Sequence, residues 1–290
     1  MMLYVWIAVG VMSVSFASIF IRLAEAPPLT VAAYRMGIAA VIVGVTTGIA
    51  GRGGFAAVRR FDLPLLGGSA FFLAAHFALW TTSLSHTSVA SSVLLVTTTP
   101  IFVAVLAHFT SPDKVGRLTA LAVVVSMAGG VVIAAGDWAE GERHLLGDAL
   151  ALAGAVAVAG YLLAGRRVRG HIPNLAYVTI VYAIAAVLLL AAAVGSGAPM
   201  LGLPMESYFW MAMAAVLPQA VGHSLLNWAL GYLPAVNVTL AVRGEPVLAT
   251  LLAIPVLGEV PPWTVLPGGA LLLLGVYLAV RSGEARRANV

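Results

Sequence analysis

Long apolar segments without acidic or basic side chains dominate the hydrophobic pattern of this chain. A membrane-spanning helix needs about 20 consecutive apolar residues, so the longest of these segments have room for two helices each. The pattern therefore predicts an all-α integral membrane protein with many spans. The windows that contain no Asp, Glu, Lys or Arg are residues 3–21, 63–112, 118–136, 170–205, 207–242 and 260–280.

Turn-forming sequences rich in Pro and Gly divide these segments into ten predicted transmembrane helices. The breaks fall at residues 26–28, 51–54, 111–113, 195–199 and 260–262, where Gly, Pro, Ser and Asp interrupt the apolar pattern. The predicted spans are residues 2–24, 28–50, 62–85, 87–110, 115–136, 146–168, 172–194, 207–231, 234–257 and 262–281.

An internal repeat with an offset of 146 residues joins the two halves of the chain. Residues 234–259 align with residues 88–113, and Pro246 then falls on Pro100. Five spans per unit is an odd number, so the second unit must enter the membrane from the opposite side. Inverted repeats of this kind are typical of transporters that hold their substrate at the bilayer midplane. The predicted units are residues 1–140 and 145–281, the second one inverted, followed by a short cytoplasmic tail, 282–290.

Composition and charge agree with a membrane protein. Hydrophobic residues make up 61% of the 290 residues and charged residues only 9%, whereas soluble domains carry about 25% charged residues. The formal net charge of +4 comes from bases at membrane edges and does not indicate nucleic-acid binding. If the N-terminus is inside, most Lys and Arg fall in inner loops or the tail, which predicts cytoplasmic termini. We expect a multi-pass plasma-membrane protein, in a bacterium the inner membrane.

Polar stripes within the third and eighth spans are the first candidates for a substrate site. Such stripes cannot face lipid cheaply, so they line either the bundle interior or a cavity. A histidine within a membrane is often only a helix–helix hydrogen bond, and Trp80 alternatively belongs to an interfacial aromatic belt. The residues with i, i+4, i+8 spacing are Phe72, His76 and Trp80 in the third span, and Gln219, His223 and Asn227 in the eighth.

The fourth and ninth spans add hydroxyl and amide groups to these candidates. Ser91 and Thr98 lie with Ser88 on one side of the fourth span, and Asn237 shares a helical face with Glu245. Together with the stripes they predict an aromatic, hydroxyl-lined cavity with few formal charges. Such a cavity suits an amphipathic organic solute better than an inorganic ion. The small residues of the sixth span, among them Gly154 and Gly160, indicate close helix packing.

Two prolines occupy equivalent mid-depth positions in the repeat. Pro100 and Pro246 lack a backbone N–H and free the carbonyl groups of residues 96 and 242. In lipid these carbonyls need a partner. For the carbonyl of residue 96 this partner is either a local hydroxyl group of residues 97–99 or a bound substrate. Their shared position makes both prolines candidate bends in gating helices.

Three charged residues fall well inside predicted spans, away from their ends: Arg35, Arg243 and Glu245. Each costs about 2.5–3.5 kcal/mol at the centre of a membrane helix on insertion scales. One interpretation is a structural ion pair between Glu245 and either Arg243 or Arg35, and the other is a proton-coupling role for Glu245.

The sequence contains no motif of a competing class of protein. It has no Gly-x-Ser-x-Gly, no His-Glu-x-x-His, no phosphate-binding glycine loop and no cysteine. We therefore expect neither an enzyme, nor a metal site, nor a cofactor. The expected partners are a small-molecule substrate and the lipid bilayer, without nucleic acid. The oligomeric state is left open, and a monomer is compatible with the sequence.

Several motifs resemble the EamA family of the drug/metabolite transporter superfamily, over essentially the whole chain. Residues 111–113 depart from the Leu-Gly-Glu that this family usually has there. The resemblance implies a transporter that exports small amphipathic organic solutes by alternating access. It is greatest to YddG-type exporters of aromatic amino acids, with cationic drugs or other metabolites as alternative substrates. The matching segments are residues 27–35 (PPLTVAAYR), 88–100, 235–246, 257–259 (LGE), 268–269 and 275–276.

Overall fold

The computed structural model describes residues 2–50, 52–110, 117–223, 225–226 and 244–287. Helices account for most of this part of the chain, which contains no β-strand. Its α-helices are α1 (Met2–Ser15), α2 (Ala17–Leu23), α3 (Pro28–Ala50), α4 (Leu63–Ser83), α5 (Val89–Val96), α6 (Thr99–Thr110), α7 (Arg117–Glu140), α8 (Glu142–Val168), α9 (Asn174–Gly195), α10 (Met205–Ala214), α11 (Gly244–Leu257) and α12 (Val265–Arg287). Short 3₁₀ helices cover Arg52–Ala57 and Arg60–Asp62, and a π-helix covers Ala215–His223.

Among the described residues, five helices are long and apolar enough to cross a membrane: Val5–Leu23, Pro28–Ile49, Arg60–Ser83, Glu142–Val168 and Asn174–Gly195. Four shorter apolar helices accompany them: Val89–Val103, Ala120–Gly136, Gly244–Leu257 and Val265–Leu278. The protein is therefore an all-helical, multi-pass membrane protein. The count of ten spans stays a prediction, because residues 227–243 of the eighth and ninth predicted spans lie outside the described residues.

The outer surface of the helices is apolar. Val41, Ile49, Val124 and Val187 are each more than 60% exposed, although they belong to helices with buried opposite faces. Soluble monomers rarely expose apolar surface of this extent. These side chains therefore face the lipid.

Two of the predicted spans are interrupted helices. The first is divided at Phe16, and the hydroxyl groups of Ser13 and Ser15 donate to carbonyls four residues earlier, at 2.7 and 2.8 Å. Such bonds bend helices. The fourth span is divided at residues 97–98, directly before Pro100, whose ring and missing N–H disrupt the helical ladder.

Helices of the first half pack chiefly against helices of the second half. The most extensive helix pairs are α4 with α8, α7 with α12, α3 with α9, α4 with α9, and α1 with the π-helix. Neither half therefore encloses its own core. The largest buried cluster includes residues of α3, α4, α8 and α9, among them Met36, Phe77, Trp80 and Tyr182.

The contact between α7 and α12 depends on glycine. A Cβ atom added to Gly129 would lie 2.7 Å from the carbonyl oxygen of Gly268, and one added to Gly275 would lie 2.7 Å from that of Ala122. Residue numbers rise along one helix as they fall along the other, so the two helices run antiparallel. The 146-residue offset converts Ala122 into Gly268 and Gly129 into Gly275, so the two contacts are equivalent.

Helices α3 and α9 also run antiparallel. At one end the hydroxyl groups of Thr47 and Thr179 lie 2.7 Å apart. At the other end Thr30 donates to the carbonyl of Pro199, and the Tyr34 hydroxyl donates to a carbonyl just after α9. These two helices correspond to the second and seventh predicted spans, which are equivalent in the repeat.

Candidate functional site

Arg35 lies at the centre of the candidate site, in the third turn of α3, and is only 1% exposed. A charge buried at this depth needs hydrogen-bond partners. Its Nε and Nη2 atoms donate to Oε1 of Gln219 at 3.2 and 2.8 Å. The amide nitrogen of Gln219 then donates to the Tyr182 hydroxyl at 2.6 Å. Helices α3 and α9 and the π-helix are thus joined by one buried polar chain.

Aromatic rings of α4 cover the guanidinium group. The Cζ atom of Arg35 lies 4.6 Å from the ring centroid of Phe77 and 5.5 Å from that of Trp80. These distances are within the range of cation–π attraction. Trp80 is 4% exposed, which excludes the lipid-facing belt position that the sequence also allowed.

His76 connects this group to α8. Its ring is stacked on Trp80, with 6.1 Å between centroids and 7° between planes. Its Nδ1 atom lies 3.0 Å from the carbonyl oxygen of Gly154. A carbonyl only accepts hydrogen bonds, so Nδ1 carries the proton and Nε2 of the neutral ring remains an acceptor.

Each of the two predicted polar stripes contains residues that lie near Arg35. His76 and His223 each lie within electrostatic reach of its guanidinium group, and His223 also of His76. The local structure of the second stripe differs from the expected α-helix, because Gln219 and His223 belong to the π-helix. Pro218 lies inside this segment and cannot donate the N–H that an α-helix requires there, and π-helical turns are frequent at functional sites.

The carboxylate of Glu245 also lies within electrostatic reach of Arg35. In the described part of the chain, however, the two residues form no ion pair, and Arg35 is held by the Gln219 amide instead. The other predicted partner, Arg243, lies outside the described residues, as do the candidate residues Asn227 and Asn237.

Phe72 lies away from this group. It is 38% exposed, and a Cβ atom added to Gly160 of α8 would come within 2.8 Å of its ring. A Cβ atom on Gly154 would lie 3.6 Å from Cβ of Trp80. The small residues of the sixth predicted span therefore serve packing against α4, which confirms the expectation.

The hydroxyl groups of Ser88, Ser91 and Thr98 in the fourth span bond along their own helix. Ser88 is the N-cap of α5: its Oγ atom accepts from the backbone N–H of Ser91 and donates to the Ser91 hydroxyl, both at 3.0 Å. This is the usual role of Ser before a first helical turn. The Thr98 hydroxyl donates to the carbonyl of Leu95 at 2.6 Å. A substrate contact of Ser91 or Thr98 stays a prediction.

The carbonyl group that Pro100 leaves without a backbone donor is satisfied locally. The hydroxyl of Thr99 donates to the carbonyl of Val96 at 2.8 Å, which confirms the local interpretation. Pro246 is buried in α11, and Val242, whose carbonyl it was predicted to free, lies outside the described residues.

A polar network closes one end of the bundle, the end that the sequence predicts to be outside. Arg22 lies 3.2 Å from Glu259 and donates to the carbonyl of Leu84. The second carboxylate oxygen of Glu259 accepts from the backbone N–H of Val89 at the start of α5. A pocket of about 290 Å³ borders this network. At the opposite end of α4, Asp62 lies 2.9 Å from His171.

Sequence reasoning missed Phe77 and Tyr182, although both contact the central polar chain. Tyr182 belongs to a helix with no charged residue, and its sequence neighbours give no sign of a polar partner. The one available signal is the phenol itself, because a tyrosine buried within a bundle usually needs a hydrogen-bond partner.

An apolar-surfaced bundle of helices with a polar centre defines a polytopic membrane protein with a buried polar site. The sequence profile of the EamA-like transporter family matches residues 1–135 and 145–281, so the chain belongs to this family and is a membrane transporter. Members of the family are transporters and not enzymes.

Two individual proteins are also similar to this chain. An uncharacterized transporter of Clostridium kluyveri (strain ATCC 8527 / DSM 555 / NBRC 12016 / NCIMB 10680 / K1) is 25% identical over 211 residues, covering 70% of this chain and 67% of the relative. A crystal structure of another protein superposes with a TM-score of 0.66 at 17% identity, covering 96% of both chains. This second similarity concerns the fold alone.

Proposed function

We propose that this transporter exports small amphipathic organic solutes, first of all aromatic or hydrophobic amino acids, through a site around Arg35. The observation that supports the proposal is the combination of the buried guanidinium group of Arg35, two half-buried imidazoles and the buried rings of Phe77 and Trp80. A few convergent polar groups among aromatic side chains are typical of sites for amphipathic organic molecules. The resemblance to YddG-type exporters points to the same class of substrate.

The charge of the site favours a zwitterion or an anion over a cationic drug. Arg35 is fully charged at neutral pH, and its described hydrogen-bond partner, Gln219, is neutral. The faces of Phe77 and Trp80, which would otherwise attract an organic cation, already bind the guanidinium group. Glu245 lies within electrostatic reach but forms no ion pair with Arg35, so a cationic substrate would meet the uncompensated charge of the guanidinium group.

The proposal includes two inverted five-helix units and alternating access between them. Equivalent helices related by an axis in the membrane plane must run antiparallel, and this is how α3 packs on α9 and α7 on α12. The family profile also matches in two ranges, one on either side of residues 136–144. A substrate site between such units lies near the bilayer midplane.

The polar network at the predicted outer end supports a conformation that is closed on that side. Arg22 and Glu259 come from helices near opposite ends of the sequence, and their ion pair bridges α2 to the segment after α11. Alternating access requires such contacts to break when the substrate leaves. The network therefore suits an exporter at rest, with its outer exit shut.

The test is a flux assay with the purified protein in liposomes. Vesicles loaded with unlabelled solute are given labelled tryptophan, phenylalanine, leucine, glutamate or the cation ethidium, with and without a pH gradient. We expect exchange of the aromatic and hydrophobic amino acids, and loss of exchange in His76→Ala at an unchanged amount of folded protein. Ethidium exchange without amino-acid exchange would refute the substrate class, and no exchange at all in any vesicle would refute the proposal.

A further inference from the structure

Two nitrogen donors at the centre of the bundle have no hydrogen-bond partner among the described residues. They are Nη1 of Arg35 and Nε1 of Trp80. Both residues are nine-tenths or more buried, with 1% and 4% of their surface exposed, so bulk water does not replace the missing partner. An unpaired buried donor is costly, and a charged one more so. Such a pair therefore indicates an acceptor that the described residues do not supply.

The orientation of the guanidinium group defines what this acceptor is. Gln219 receives hydrogen bonds from Nε and Nη2, which is the side edge of the planar fork. The other edge, at the end of the side chain, consists of Nη1 and the second hydrogen of Nη2, and Gln219 does not occupy it. Two parallel N–H groups at this spacing match the two oxygen atoms of a carboxylate, which arginine binds in a bidentate manner.

Trp80 supplies a third donor beside this edge. Its ring centroid lies 5.5 Å from Cζ of Arg35, and its indole nitrogen only donates. The stacked ring of His76 restricts its rotation. The unpartnered N–H groups of Arg35 and Trp80 thus belong to neighbouring side chains, and neither suits a ligand that is itself a donor, such as an ammonium group.

We propose that Arg35 and Trp80 together bind the carboxylate group of the transported solute. This rests on the proposed function, namely that the group around Arg35 is the substrate site. The end edge of Arg35 holds both carboxylate oxygens, and Nε1 of Trp80 adds a hydrogen bond to one of them. Gln219 and Tyr182 are positioning residues, because they fix the guanidinium plane without contacting the solute. The transporter consequently requires an acid group on its substrate.

The experiment compares ligands that share an indole ring and differ in their charged group. Purified protein in nanodiscs is titrated calorimetrically with L-tryptophan, indole-3-propionate and tryptamine. Trp80→Phe keeps the aromatic ring and removes only the N–H group. Arg35→Lys keeps the charge and removes the planar fork. Trp263→Phe is the matched control, because Trp263 is 77% exposed and lies outside the site.

For the unmodified protein we expect both carboxylates to bind at least tenfold more tightly than tryptamine. Trp80→Phe should weaken both carboxylates roughly tenfold, as expected for one hydrogen bond to a charged group, and should leave tryptamine unchanged. Arg35→Lys should remove the preference for carboxylates, and Trp263→Phe should bind like the unmodified protein. If Arg35→Lys does not fold, Trp80→Phe alone decides.

Equal binding of tryptamine and the carboxylates, no binding of either carboxylate, or an unchanged affinity in Trp80→Phe would each overturn the inference. The flux assay distinguishes this failure from a failure of the proposed function. Carboxylate-selective binding without flux of any amino acid would leave the anion site standing and refute transport of these substrates. Flux of aromatic amino acids and tryptamine alike would support the transport proposal and refute the carboxylate site.

Discussion

Arg35 is held by an amide and not by a carboxylate, which makes one neutral residue responsible for a buried charge. Gln219 accepts two hydrogen bonds from the guanidinium group and passes one on to Tyr182. Removing only the partner of a buried charge is more damaging than removing the charge and its partner together, because the charge that remains is left without compensation. The stability of the bundle is therefore sensitive to Gln219.

We predict that Gln219→Leu lowers the free energy of unfolding by about 3–5 kcal/mol, the range for stranding a buried charge. Thermal unfolding in detergent should shift to a clearly lower temperature. Gln219→Glu is the matched control: it keeps an acceptor for Arg35 and should unfold close to the unmodified protein. A leucine variant as stable as the glutamate variant would show that Arg35 does not depend on this amide.

The sequence predicted the polar residues on two of the helices that form this site better than the aromatic residues that contact Arg35 and Gln219. His76, Gln219 and His223 were identifiable because helical spacing and the cost of polar groups in lipid restrict where they point. Tyr182 was not, because its helix is almost uniformly apolar, and Phe77 was not, because it is an apolar residue outside the predicted stripe of α4. The helix-to-helix geometry that brings them to Arg35 is a property of packing, which periodicity does not contain.

The contact between α7 and α12 belongs to the scale of whole helices. The backbones approach so closely at Gly129 and Gly268 that hydrogen is the largest substituent that fits. Close approach through small residues is a main source of attraction between helices in lipid, where apolar burial gives no preference for protein over bilayer.

We predict that Gly129→Ala destabilises the protein by about 1–3 kcal/mol, as for other overpacked positions. The added methyl group would lie 2.7 Å from the Gly268 carbonyl oxygen, so the helices must separate. Gly130→Ala is the control on the same helix, since its Cβ atom would meet only Leu95, at 3.8 Å. Thermal unfolding of the two variants in one detergent compares them, and equal transitions would contradict the packing argument.

The division between α5 and α6 is a second feature at this scale. Pro100 removes a backbone donor, and Thr99 satisfies the carbonyl of Val96 through its hydroxyl. The junction is thus saturated with side-chain hydrogen bonds and needs no partner from another helix. Such a junction bends without exposing an unpaired carbonyl to lipid, as a hinge in a gating helix requires.

We predict that Pro100→Ala stabilises the protein and slows transport. The alanine N–H restores the bond to the Val96 carbonyl, and alanine is favoured over proline by up to about 3 kcal/mol within a helix. The stiffer helix should raise the unfolding temperature, leave tryptophan binding unchanged and reduce the rate of exchange in liposomes. A variant with undiminished exchange would exclude bending at this junction from the transport cycle.

Most helices were predictable from the hydrophobic windows, but their interruptions were only partly so. The division before Pro100 follows from the chemistry of proline. The division at Phe16 carries no proline or glycine, and its cause, hydroxyl groups that compete for backbone carbonyls, becomes visible only in the structure. The π-helix was missed although Pro218 lies inside it.

At the scale of the whole molecule, the two halves are interleaved and not merely joined. The 146-residue offset relates α1 to α8 and α4 to the π-helix. The pairing of α4 with α8 therefore corresponds to that of α1 with the π-helix, and both are among the most extensive contacts. The pairings of α3 with α9 and of α7 with α12 are converted into themselves. This pattern agrees with the proposed pseudo-two-fold axis in the membrane plane, which stays a prediction from the offset of 146 residues and the parity of five spans.

We predict that single cysteines at Ser282 and Ala198 label from opposite sides of the membrane. The chain has no cysteine of its own, so each variant carries one reactive thiol. With inner termini, Ser282 should react with an impermeant maleimide only in inverted vesicles and Ala198 only in intact cells. Labelling of both positions from the same side would rule out the inverted arrangement.

We predict that Glu259→Gln opens the outer end more often. The amide keeps an oxygen atom for the N–H of Val89 but loses the charge that holds Arg22. A cysteine at Ala24, which is fully buried beside Arg22, should then react with an external maleimide about two- to fivefold faster, as expected for a partly exposed ion pair. Glu206→Gln, which also lies at this end, should have no effect, and equal rates in all variants would exclude the ion pair as a closure.

The antiparallel glycine contact also constrains how the protein is made. Gly129 and Gly268 are separated by about 140 residues, and ribosomes add roughly 5–20 residues per second. The helix α7 is therefore made roughly 7–30 s before its partner α12 exists. During this interval its glycine face has only lipid, the insertion machinery or an earlier helix to cover it. The first half is thus synthesised as an incomplete membrane domain, and the glycine contact forms only when α12 has been made.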